Sequence, residues 1–91
     1  MKEFLPLGTV VLLKEATKKV MIIGYLQVTG DKKTFDYAGV IWPEGALSSD
    51  KTLLFNQEDI SQIFFDGYKN DEQKIFFEKI NELLKSNVAN N

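Results

Sequence analysis

Glu58, Asp59 and Asp66 come close together along the chain, and carboxylates so placed have two chemistries open to them. They can ligate a hard cation through oxygen, or divide into a general acid and a general base. No DxDxDG calcium pattern accompanies them, and a solvated turn accounts for them equally well. The chain has no histidine and no cysteine, which removes the commonest general base, the commonest metal ligand and the most reactive nucleophile together. Serines 48, 49, 61 and 86 therefore have no imidazole to activate them. Gly24, Gly30 and Gly39 do not have GxGxxG spacing, and GxxxxGK[ST] does not occur. The residues point away from an enzyme and imply neither a cofactor nor a metal site.

Binding is better provided for. The run from Asp36 to Gly45 sets Tyr37 and Trp42 beside Gly39, Pro43 and Gly45, where a strand must stop. Tyr37, Trp42, Pro43, Glu44 and Gly45 are the candidate partner-binding residues. The same residues also describe a rigid turn, with Pro43 fixing φ and Gly45 supplying a conformation other residues resist. The two roles are compatible, because a turn held rigid loses less entropy on binding. A second candidate is a small basic patch: Lys18, Lys19, Lys32 and Lys33 fall in two hairpin loops that could share one end of a sheet. With Tyr25, Phe35, Tyr37 and Trp42 as stacking platforms, that patch would suit RNA. Eleven basic against thirteen acidic residues, a net charge of -2 and a pI near 5.0 argue against nucleic acid.

The elements that must position these residues fit within one domain, since the chain has 91 residues, 44% of them hydrophobic and 12% aromatic. No apolar run reaches membrane-spanning length and no signal-peptide core follows the first residues, so the expected location is the cytoplasm, without membrane contact. The period of the sequence changes near residue 69, from β to α. Residues 10–13, 19–28, 34–42, 53–55 and 61–65 read as five strands, with Gly24 at a bulge and residues 57–60 as a helical turn. The polar residues 29–33 make the middle pair a hairpin. Residues 20–23 and 63–65 are apolar at successive positions, which calls for a curled sheet or for cover on the second face.

A helix over about 71–86 could supply that cover. Asn70 suits its N-cap with Gln73 as capping-box partner, and Asp71 and Glu72 suit its dipole. Phe76, Phe77, Ile80, Leu83 and Leu84 recur at spacings of three and four, an apolar stripe to pack on the sheet. The expected fold is α+β: a small curved antiparallel sheet or SH3-like barrel of about five strands, with one C-terminal amphipathic helix, and an open meander covered by the helix is the alternative. The single domain is placed at 1–88, with its β portion at 5–68 and a disordered tail at 89–91.

Taken in order, residues 5–14 (LPLGTVVLLK), residues 19–24 (KVMIIG), Asp36-Tyr37-Ala38-Gly39 and Trp42-Pro43-Glu44-Gly45 form a combined pattern. It continues through Phe55-Asn56, Glu58-Asp59-Ile60, Ile63 and Phe65-Asp66-Gly67-Tyr68. On these residues the chain resembles a family of small proteins of unknown biochemical function, encoded in type VII secretion loci of Gram-positive bacteria. Such proteins sit beside genes for secreted toxins with an N-terminal LXG domain and beside small helical secretion partners. The resemblance implies a non-enzymatic chaperone or targeting adaptor whose partner is a secreted toxin or another secretion-system protein. It transfers no catalytic residues. The family's usual aromatic before Pro-Glu-Gly is not tryptophan, so Trp42 is a conservative departure bearing on partner choice. The alternatives are an immunity protein that neutralises a toxin directly and an SH3-like nucleic-acid-binding regulator. A homodimer is open as well, since strand edges and leftover helix surface would serve one.

Overall fold

The structure, a computed structural model, describes residues 3–89. Five strands form one antiparallel sheet: β1 (Val10–Leu13), β2 (Lys19–Val28), β3 (Thr34–Ile41), β4 (Leu53–Phe55) and β5 (Ile60–Phe65). Helix α1 (Asp71–Ala89) follows them. The strand order is β4-β3-β2-β1-β5, so β4 and β5 are the two edges of an open sheet. The curved antiparallel sheet with a C-terminal helix is therefore the observed architecture, and the ladder does not close into a barrel. Of the tail expected at 89–91, Ala89 is helical and the remaining two positions lie outside the described residues.

Curvature follows from the connection between the two edges. In a flat sheet β4 and β5 would stand about 19 Å apart, four strand spacings. Only residues 56–59 join them, and Gln57–Asp59 form a 3-10 turn that advances roughly 6 Å. The sheet must roll to bring its edges together. Polar groups lock this short connection: Asn56 N–H donates to Asp59 Oδ2 at 2.8 Å and Gln57 N–H to Asp36 Oδ2 at 2.9 Å. The buried Asp36 returns its own N–H to Asn56 Oδ1 at 3.0 Å.

The core lies between the rolled sheet and α1. Val11, Val20, Ile22, Tyr37 and Phe55 supply the sheet side, Ile80 the helix side, and Phe4 enters from the N-terminal arm. Phe77 and Leu84 pack against that cluster, partly buried. Gly39 makes the packing possible, since a Cβ there would stand 2.5 Å from Val20 Cγ1 and 3.1 Å from Phe55 Cε1. Glycine is needed at this close approach, not for its torsional freedom. A register shift between Ile22 and Gly24 leaves Ile23 as an extra residue in β2, beside the glycine where a bulge was expected.

The apolar stripe of α1 is narrower than its spacing suggests. Ile80 is buried and Phe77 and Leu84 partly so, but Phe76 is 49% exposed and Leu83 62%. The side of α1 that faces the sheet is centred on Phe77 and Ile80, which turns Phe76 and Leu83 to its flank. The N-cap is as expected, with Gln73 N–H donating to Asn70 Oδ1 at 3.0 Å.

Candidate functional site

Trp42 begins the turn that ends β3. Its N–H donates to Lys19 O at 2.8 Å, the last backbone bond tying this strand to β2. The Trp42-Pro43 peptide bond is cis, and Gly45 adopts φ +78°, where its N–H reaches back to Ile41 O at 2.8 Å. That left-handed conformation is the one for which glycine is favoured. Glu44 extends toward the β1–β2 connection and pairs with Lys18 Nζ at 2.6 Å. The hydrogen bond from Lys18 holds the Glu44 carboxyl below the usual carboxylate range. Both partners are solvated, so the pair orients the turn more than it stabilises the fold.

The indole is 45% exposed on this fixed backbone, with the exposed Leu47 following in the same connection. Trp42, Pro43, Glu44 and Gly45 are thus brought together as one surface turn with an aromatic, a bonded carboxylate and defined geometry. Tyr37 is not among them. It is fully buried, paired with Phe55 across β3 and β4, and its hydroxyl accepts the Leu5 N–H at 3.0 Å and donates to Gln57 Oε1. Tyr37 therefore has no surface to offer a partner and belongs to the core.

The hydroxyls of two tyrosines clamp the N-terminal arm. Tyr25 donates to Leu5 O at 2.6 Å while Tyr37 takes the amide of the same residue. Burial, with the neighbouring Tyr37, pushes the Tyr25 phenol up to about 12, and burial raises Tyr37 as well. The ring of Phe4 meets Tyr25 and Tyr37 edge-on at centroid distances of 5.6 and 6.0 Å. A groove of about 390 Å³ opens beside this cluster, lined by Leu7, Tyr25, Tyr68, Phe76 and Phe77 among others. Sequence reasoning missed the arm: Phe4 and Leu5 precede the first strand and show no periodicity that would assign them to the core.

The basic patch does not form. Lys18 and Lys19 stand at the start of β2 and Lys32 and Lys33 beyond its end, so a ten-residue strand separates the pairs. Successive turns of an antiparallel meander fall at opposite ends, and these two do so. Lys19 Nζ lies 4.8 Å from the centroid of the Phe64 ring, and Lys33 approaches Asp31 at 3.9 Å. The carboxylates near residue 60 are dispersed too. Asp59 caps the 3-10 turn through Asn56 N–H, Glu58 faces solvent, and Asp66 approaches Lys69 at 4.0 Å. Among the described residues no three acidic side chains are grouped so as to hold a metal ion. No helix among them is long and apolar enough to cross a membrane.

No curated protein and no solved structure matches the chain. Residues 4–76 match a domain of unknown function, DUF4176, a span that starts at the buried Phe4, includes all five strands and the Trp42 turn, and ends in the second turn of the helix. The match covers most of the sequence, and the protein belongs to the DUF4176 family.

Proposed function

We propose that this protein is a non-enzymatic accessory factor, a chaperone or targeting adaptor that binds a toxin in the cytoplasm before export by type VII secretion. The secretion setting rests on the resemblance carried by residues 5–68. The observation that carries the binding role is Trp42, a large aromatic left 45% exposed on a turn whose backbone is tied at Trp42 N and Gly45 N. Aromatic side chains on preorganised backbone lose little entropy when covered and are enriched among residues that dominate binding energy. The Lys18–Glu44 pair beside it supplies a polar rim.

Coexpression with the toxin encoded beside it is the test. The adaptor role predicts copurification and a longer-lived toxin. If neither depends on this protein, the role is wrong. Inhibition of the folded toxin by the purified protein would instead assign it as an immunity protein.

A further inference from the structure

β5 ends the sheet, and among the described residues no further strand pairs with its outer side. Edge strands are ordinarily protected by shortness, proline, lysine or an inward charge. The opposite edge, β4, is protected by shortness, having three residues and Lys51 just before it. The segment Ile60–Phe65 is twice as long and holds no charge and no proline.

Ile63, Phe64 and Phe65 are 45%, 46% and 62% exposed. Ile63 and Phe65 stand opposite Val11 and Val10, successive residues of β1 that point to opposite faces, so the exposure of both means that both faces of β5 reach solvent. Register shifts against β1 leave Ser61 and Phe64 as extra residues, which twists this edge away from the flat geometry that favours open-ended stacking. The ammonium of Lys19 on the Phe64 ring helps to hold that side chain in place.

Charge selects the occupant. Glu58, exposed, and Asp59, whose Oδ2 also takes the Asn56 N–H, precede the apolar run, and Asp66 follows it with Lys69 4.0 Å away and solvated, so the balance at the two ends of the strand stays acidic. A second copy laid antiparallel along β5, with Ile60 opposite Phe65, would set Asp59 against Asp66 at both ends of the pairing. A strand bounded by lysine or arginine meets the same carboxylates favourably. The geometry points to β5 as an acceptor for one added strand from another protein, an extended segment of alternating apolar residues with basic residues at its ends. This goes beyond the toxin-adaptor reading and does not depend on it.

The test is titration of the ¹⁵N-labelled protein with a short peptide of alternating valine and threonine carrying lysine at both ends. Saturable amide shifts are expected along Ile60–Phe65, and the same peptide with glutamate ends should bind about tenfold more weakly. The double variant Ile63→Lys, Phe65→Lys should lose the lysine peptide while the amide shifts of β2 and β3 stay in place. Because the two peptides are compared on the unaltered protein, the result stands even if that variant fails to fold. Three results would overturn the proposal: no shifts on β5, equal binding of both peptides, or sedimentation showing a dimer whose β5 amides are already protected.

Discussion

Replacing Tyr37 by phenylalanine removes one oxygen and leaves the ring packing in place, which isolates what the buried hydroxyl does. The ring still faces Phe55 at a centroid distance of 5.5 Å and Phe4 at 6.0 Å. Two hydrogen bonds vanish: the Leu5 N–H loses its acceptor and Gln57 Oε1 its donor. Gln57 is half-buried and can turn toward water, but the Leu5 N–H is aimed at the fully buried Tyr37 and has no second acceptor there once the hydroxyl is gone. One orphaned donor of this kind costs about 1–3 kcal/mol. For a domain of this size each kcal/mol lowers Tm by roughly 4–8 °C, so a 2 kcal/mol loss gives a fall of about 8–16 °C. Urea denaturation followed by circular dichroism reads the energy, and hydrogen exchange at the Leu5 amide reads its location. The comparison is Tyr25→Phe, which removes one donor from the Leu5 carbonyl beside a tyrosine that is only half-buried, where Tyr37 is fully buried, and should cost under about 1 kcal/mol. If Tyr37→Phe lies within about 0.5 kcal/mol of the parent, in the range of a neutral surface change, the clamp is refuted.

Three further perturbations test the fold. Gly67→Ala places a Cβ 2.0 Å from Leu7 O and should cost at least about 3 kcal/mol, read as lost soluble yield and lowered Tm, whereas Gly30→Ala meets open space and should change little. Ile80→Ala should cost about 2–5 kcal/mol and Phe76→Ala under about 1 kcal/mol by urea denaturation; equal costs would mean the helix is turned otherwise. Because the folded-state pKa of Tyr25 is raised to about 12, its contribution is fully present below pH 10 and is lost as pH climbs toward 12. The two-unit shift corresponds to about 2.7 kcal/mol, which solvent screening of this half-exposed ring reduces to roughly 1 kcal/mol. Stability measured from pH 9 to pH 11.5 should fall, less steeply in Tyr25→Phe; identical slopes would contradict the assignment.

Local chemistry was legible in the sequence. Gly24 beside the bulge, Pro43 and Gly45 at the turn, and Asn70 at the helix start all do in the structure what their types suggest. What alternation could not show is which face each residue takes, because the extra residue Ile23 shifts the period of β2. As a result Ile22 and Tyr25, an even and an odd position, both pack on the core. Tyr37 pairs with Tyr25 across the hairpin and goes inward with it, which removes it from the candidate site. The helix stripe was too broad to fix a rotation, because Phe76 and Phe77 are adjacent and both meet Tyr25, and only the contact of Phe77 with Phe4 of the arm sets the two apart. The run 63–65 reads as doubly buried, yet it is an edge; composition cannot distinguish a covered strand from one whose neighbour is missing.

The central claim is that the turn at Trp42 binds a partner while leaving the fold independent of it. Its most direct measurement is the affinity of parent and Trp42→Ala proteins for a purified LXG toxin of the kind proposed as its partner, with Tm recorded for both. The account predicts a loss of at least about 2 kcal/mol, roughly thirtyfold in Kd, at an essentially unchanged Tm. Equal affinity, or a loss matched by a collapse in Tm, would contradict it.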